Sequence, residues 1–205
     1  RRIVEIYEKY GLDTVKEASR WYLAYGEEVA KKELEMLPKG SFEAEDYVDD
    51  DGITEDPIYT RVKVDITDES FQVDFTGSDS QAKGPVNCTY PATVCASRKI
   101  FKAITDPHGP VNAGSFKPLH VIAAEGSIFN AKRPAPTSLY YDSMVFVWDL
   151  VWQALAPHVP DRLTAGHSLC ACVVHLGGRT DGGEIFMATD PFAGGWGAGM
   201  DKDGE

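Results

Sequence analysis

The apolar positions begin with a helical period. Ile3, Val4 and Tyr7 form an i, i+4 stripe within Arg1 to Tyr10. Gly11 is placed to close that helix and Asp13 to cap the next. Along the second, Val15, Ala18, Tyr22, Tyr25 and Val29 recur at alternating steps of 3 and 4, and Leu34 and Leu37 extend the face. Lys16, Glu17, Glu27, Glu28, Lys31 and Lys32 fall largely off that stripe. So narrow a seam predicts a long helix packed against a partner helix. Pro38-Lys39-Gly40 ends it. The expectation is a helical arm over residues 1–40 and an α+β domain over residues 41–205, part of a larger subunit.

The period then changes to two. Phe42 and Ala44 alternate with Glu43 and Glu45. An acidic stretch with Asp49-Asp50-Asp51-Gly52 follows. It misses the calcium-loop pattern, because Tyr47 takes the first ligand position relative to Gly52, and it reads as a solvated loop. Val62, Val64 and Ile66, then Phe71, Val73 and Phe75, alternate with polar residues on either side of a turn at Thr67 to Ser70. That is an antiparallel hairpin with one buried face. A helix is predicted from Ala92 to Ile104, with Val94, Phe101 and Ile104 inward. Short strands are predicted at Leu119–Ala123 and Ser127–Phe129. Asp142 is placed to cap a helix through Met144, Val147, Trp148, Val151, Trp152 and Leu155, apolar nearly all round and so deeply buried. His167–Leu176 reads as a buried strand and Glu184–Thr189 as its neighbour, with Gly177-Gly178 and Gly182-Gly183 flanking the connection. The fold class is α+β: antiparallel hairpins and a mixed sheet packed with buried helices.

Charge narrows the classes of function. With 32 Asp and Glu against 20 Lys and Arg, the formal net charge of the 205 residues is -12. That sign argues against nucleic acid, which needs a basic footprint, and against a polybasic membrane contact. No apolar run approaches the roughly 20 residues of a membrane span, and the first residues show no signal-peptide pattern. Cys88, Cys95, Cys170 and Cys172 do not form a disulfide framework and read as buried thiols of a cytoplasmic protein. Asn87-Cys88-Thr89 matches a glycosylation sequon, read here as coincidence. Both ends look cut. The chain starts without Met inside a predicted helix and stops just after a glycine-rich stretch.

Few residues point to chemistry. There is no Walker A pattern and no nucleophile elbow. Gly194-Gly195-Trp196-Gly197-Ala198-Gly199 is a tight turn or a backbone nest for an anion. His167, Cys170, Cys172 and His175 do not converge as metal ligands. On one strand the histidines lie roughly 26 Å apart at about 3.3 Å per residue, with the cysteines on the other face. His167 alone, beside Gly166, is a candidate site group. Asp74 and Thr76 at a strand end can orient a substrate or close a turn. Asn87 and Asn112 in loops can contact a ligand or hold the loop.

Several segments together resemble the hydantoinase B / oxoprolinase family. They are Asp74-Phe75-Thr76-Gly77-Ser78, Gly84-Pro85-Val86-Asn87, Tyr47-Val48-Asp49-Asp50-Asp51-Gly52, Val111-Asn112-Ala113-Gly114, the run from Pro118 to Ser127, and Gly194-Gly195-Trp196-Gly197-Ala198. They are collinear over nearly the whole chain. The resemblance implies a central-to-late fragment of a subunit that works with a hydantoinase A-type, ATP-binding partner. The partner phosphorylates a substrate. The pair then carboxylates a ketone of the acetone or acetophenone type, or hydrolyses a hydantoin or lactam ring. ATP and a divalent metal are implied for the whole enzyme, neither bound by this fragment alone. Ser138-Leu139-Tyr140-Tyr141-Asp142 and Thr164-Ala165-Gly166-His167-Ser168 depart from the commoner hydantoinase pattern and favour the carboxylase branch. The resemblance assigns no catalytic residue. Asp74, Thr76, Asn87, Asn112 and His167 are the candidate pocket residues, and no metal ligand is assigned. The competing readings are a non-catalytic subunit-interface module and a small-ligand-binding domain.

Overall fold

The computed structural model describes residues 1–169, 173–192 and 194–204. Helices α1 (Arg2–Tyr10) and α2 (Leu12–Met36) form a helical hairpin about Gly11, whose φ of 82° is one that favours glycine. Gly11 is the residue before α2, so Asp13 lies in its first turn and does not cap it. The stripe on α2 splits in use. Gly26, Ala30 and Leu34 are buried, at i, i+4 and i+8. Tyr22 and Tyr25 further up are exposed, as are Ile3, Val4 and Tyr7 of α1. Gly26 is required by proximity. A Cβ there would meet the Asn112 side chain at 2.5 Å. Gly114 answers it, since a Cβ there would lie 1.8 Å from the Leu23 carbonyl oxygen.

Strand β1 (Gly40–Val48) pairs antiparallel with β2 (Ile58–Ile66) along its full length, from Gly40↔Ile66 to Val48↔Ile58. β3 (Phe71–Asp74) pairs antiparallel with β2, and β4 (Leu119–Ile122) runs parallel to β3. The order is β1-β2-β3-β4. β2 buries Ile58, Thr60, Val62, Val64 and Ile66 and half-buries the residues between, the period-two pattern of a sheet with one core face. Helices α3 (Tyr90–Thr105) and α4 (Tyr140–Leu155) pack on each other, and α4 also packs on β1 and β2. Phe71, Phe75, Phe101, Phe129, Leu150 and Leu34 are fully buried there. Phe71 meets Phe101 edge-on at 5.3 Å. The fold is α+β, as the alternation of periods indicates.

Several expectations are corrected. Ser127–Phe129 is no strand. Ser127 makes an isolated bridge to Ser80, and Ile128 and Phe129 plug the core from a loop. Asp142 lies in the first turn of α4, with Leu139 at the cap position. The acidic loop is not wholly solvated. Asp51 is buried, accepting hydrogen bonds from the backbone N–H groups of Ile53, Thr54 and Gly84 at 2.9, 2.7 and 2.8 Å. Those donors hold its carboxyl far below the usual carboxylate range, against the opposing effect of burial. Cys88 is buried but Cys95 is exposed, while Cys170 and Cys172 lie outside the described residues. The last hairpin forms as β5 (Val173–Arg179) and β6 (Ile185–Pro191), yet Leu176, Ile185 and Met187 are exposed. An apolar run signals a buried strand only where another layer covers it. No helix among the described residues is long and apolar enough to cross a membrane.

Candidate functional site

Trp148 and Trp152 are four residues apart on α4, so they share a face. Lys99, Ile100 and Ala103 present the facing turn of α3. The gap between these helices is a cavity of about 420 Å³, closed on its far side by His167, Ser168, Gly194, Gly195 and Trp196. That far wall is a short backbone ladder. Gly197 N–H donates to the Gly166 carbonyl at 2.8 Å and Ser168 N–H to the Gly195 carbonyl at 2.9 Å. His167 and Trp196 face each other as an isolated antiparallel bridge, rings 5.4 Å apart. Glycine permits the approach, because a Cβ on Gly194 would overlap the Ser168 side chain at 1.8 Å. The glycine-rich stretch therefore lies against residues 165–168 as a cavity wall.

Trp152 is held by its indole N–H, which donates to the Thr164 carbonyl at 2.8 Å. Lys99 Nζ lies 3.9 Å from the centre of the Trp148 ring, a close cation–π contact. The His167 side chain is buried. Its Nδ1 lies 3.1 Å from the Ser168 carbonyl oxygen and must donate there. Its Nε2 has two neighbours, Trp148 Nε1 at 3.2 Å and Asp149 Oδ1 at 3.3 Å. Neutral imidazole uses the Nε2 lone pair to accept from the Trp148 indole. Imidazolium instead donates from Nε2 to the Asp149 carboxylate. Asp149 Oδ2 accepts from Gln153 Nε2 at 2.6 Å, and that nitrogen also reaches Asp46 Oδ2 at 2.8 Å. Burial pushes the Asp149 carboxyl above its ordinary value, while Gln153 and His167 pull it down. The site thus has aromatic walls, one charged lysine and a wall histidine, His167, backed by Asp149.

Of the five candidate residues, His167 lines this cavity and the other four do not. Asp74 Oδ1 accepts from Thr76 N–H at 2.8 Å, closing a turn in which Thr76 is exposed. Asn87 is fully buried and bonded on all sides to backbone. Asn112 Nδ2 donates to the Tyr22 carbonyl at 3.0 Å and its Oδ1 accepts from Ser115 N–H, fastening α2 to the 3₁₀ turn Gly114–Phe116. Sequence reasoning passed over Lys99, Trp148, Trp152, Trp196 and Asp149. The Trp148/Trp152 spacing and an acid in the middle of a largely apolar helix were the available signals. Among the described residues no three His, Cys, Asp or Glu side chains gather to hold a metal ion. The implied divalent cation does not fit these residues, and neither does a nucleotide, whose phosphates would find Lys99 alone among lysines and arginines of the described lining.

Fold and cavity together define an α+β domain whose two inner helices and glycine-rich return loop line an aromatic cavity. The chain belongs to the Hydantoinase B/oxoprolinase family, whose sequence profile matches residues 1–205. It is 33% identical over 218 aligned residues to a putative D-/L-hydantoinase subunit of Pseudomonas sp. (strain NS671), covering 100% of this chain and 36% of that protein. It is 35% identical over 179 residues to an uncharacterized protein of Methanocaldococcus jannaschii, covering 87% of this chain and 31% of that one. The chain therefore spans about a third of the length of these curated relatives. In structure it is similar to the ATP-dependent caprolactamase of Pseudomonas jessenii, with a TM-score of 0.87 at 20% identity over 99% of this chain and 36% of that one. It is also similar to a nucleotide-free acetone carboxylase, with a TM-score of 0.83 at 16% identity over 98% and 29%. These structural likenesses establish the shared fold.

Proposed function

We propose that this chain is the substrate-facing part of a hydantoinase B-type subunit in an ATP-dependent, multi-subunit enzyme. The enzyme carboxylates a ketone, or opens a hydantoin or lactam ring, through a phosphorylated intermediate. A hydantoinase A-type partner subunit uses the ATP, in the cytoplasm, and a divalent metal is held elsewhere in the assembly. This chain alone is inactive. The observation that carries the reading is the cavity between α3 and α4. At about 420 Å³ it is at the small end of the range for ligand sites, with indole faces and few polar groups. A compact carbonyl compound fits such walls.

The test uses the complete subunit produced with its ATP-using partner. ATP-dependent loss of acetone or acetophenone in the presence of bicarbonate supports the carboxylase branch. Ring opening of hydantoin or a five-membered lactam supports the hydrolase branch. Trp148→Ala should lower kcat/KM roughly tenfold or more, from the lost burial of one aromatic face. An unchanged kcat/KM in that variant would remove the cavity from the reaction.

A second role is favoured by the exposed apolar side of the helical hairpin. Ile6, Tyr10, Val15, Ala18 and Tyr22 line a shallow groove there. We place the free part of the arm at residues 1–21, before the Tyr22 carbonyl that Asn112 holds, and assign it to subunit docking. Deleting residues 1–21 spares the Tyr22 carbonyl held by Asn112 and the buried Gly26, Ala30 and Leu34. Lost assembly with intact folding supports docking, and unaltered assembly rejects it.

A further inference from the structure

Lys99 stands out in the cavity wall. The chain carries 32 acidic residues against 20 lysines and arginines, yet the described lining includes no Asp or Glu. Lys102, almost one turn further along α3, is neutralised by Asp106 at 2.8 Å. Lys99 makes no ion pair among the described residues, and its ammonium rests on the Trp148 ring at 3.9 Å. The acid behind the wall, Asp149, is engaged by Gln153 and His167. Lys99 is exposed, so at the mouth of this indole-lined cavity its charge is met by water and by no side-chain anion among the described residues.

We propose that this cavity receives its ligand as a small organic anion, the apolar body against Trp148, Trp152 and Trp196 and the carboxylate or phosphate oxygens on the Lys99 ammonium. The physics separates an anion from its neutral isostere. A ligand filling the cavity removes water from Lys99. A neutral body leaves that charge covered and uncompensated, which is unfavourable. An oxyanion replaces the lost water with a charge-assisted hydrogen bond. The aromatic face below the ammonium holds it in place without cancelling it, so an anion can approach from the open side. The volume suits one ring or a short branched chain, with a single charged group. This inference rests on the reading of the cavity as the substrate site. It adds that the form bound there carries negative charge at one end.

The test is titration calorimetry on the complete subunit with cyclohexanecarboxylate, cyclohexyl phosphate and neutral cyclohexanecarboxamide. At least one anion should bind roughly tenfold or more tightly than the amide, the margin of a charge-assisted hydrogen bond. Lys99→Met should bring that anion to the affinity of the amide or below, and Lys99→Arg should keep the preference. Trp148→Ala should weaken anion and amide alike, which locates them in this cavity. Equal affinity for amide and anions, or anion binding undisturbed in Lys99→Met, overturns the inference. If the amide still needs Trp148 in that case, the substrate-site reading stands without the charge. Should none of the probes bind, both fall together.

Discussion

Replacing Asn87 tests whether it holds the loop or touches a ligand. Its side chain is fully buried. Oδ1 accepts from Ala82 N–H at 2.7 Å. Nδ2 faces the carbonyl oxygens of Ala82, Gly84 and Pro136 at 3.0, 3.0 and 2.9 Å. With two hydrogens for three acceptors, one of them is shared. Asn87→Ala strips partners from these backbone groups, each costing about 1–3 kcal/mol if left buried and unpaired. Allowing for partial entry of water, the expected loss is about 3 kcal/mol. The assay is urea unfolding followed by tryptophan fluorescence, with the shift in midpoint converted at constant slope. Asn87→Asp sharpens the test. It keeps the acceptor for Ala82 N–H but aims a carboxylate at carbonyl oxygens in a dry site. The folded protein then favours the protonated form, so the pKa is raised on folding. Stability of that variant is greatest below the unfolded value near 4 and is lost as pH rises through the folded value. A midpoint shift worth under about 0.5 kcal/mol for Asn87→Ala would refute the reasoning. So would a stable variant that had lost substrate binding, because that places Asn87 at a ligand.

Asp51 gives the opposite pH sign. Its carboxyl is depressed by the backbone donors, so its stabilisation is present above the unfolded value near 4 and is lost on acidification. In acid denaturation Asp51→Asn should therefore start less stable at pH 7, with the gap to the unaltered chain closing as pH falls. Leu34→Ala empties a fully buried site where α2 meets the core, and calorimetry or urea melts should register a loss of about 3 kcal/mol. The Cys88 thiol is pushed up to about 11 by burial, so peptide mapping after iodoacetamide at pH 8 should show it alkylated on the order of 100-fold more slowly than the exposed Cys95, with the difference abolished in urea.

Period and punctuation made much of the fold legible. Alternation in Val62–Ile66 and Phe71–Phe75 announced the central strands because one sheet face is core and the other is not. Local pattern could not place β4 parallel to β3, a pairing made across the intervening helix α3. Nor could it show that Ile128 and Phe129 are buried without a strand, since burial there comes from a loop folded over the sheet. The exposed hairpin β5–β6 misled for the converse reason. Its apolar content suggests burial, but no layer among the described residues covers it. The cavity was the least legible part. His167 could be singled out as a histidine beside a glycine, but its neighbours come from α3, α4 and the glycine-rich loop, brought together by packing of helices on the sheet. Asp74, Thr76, Asn87 and Asn112 drew notice as polar residues in loops. Such residues are common there because turns need their hydrogen bonds, and each is committed to backbone or exposed in a turn.

Arg162 bears on the order in which the chain acquires its structure. Its guanidinium donates to the Ile104 carbonyl at 2.6 Å and to Glu33 Oε2 at 3.1 Å. The C-terminal end of α3 is therefore completed by a side chain far downstream, which also reaches back to α2. On the ribosome the chain emerges N-terminus first. The Ile104 carbonyl at the end of α3 therefore lacks its guanidinium partner until residue 162 has been made, and Lys102 is the one basic residue the last turn has of its own. The sheet and its helices can gather early, whereas this link between the arm and the end of α3 closes late.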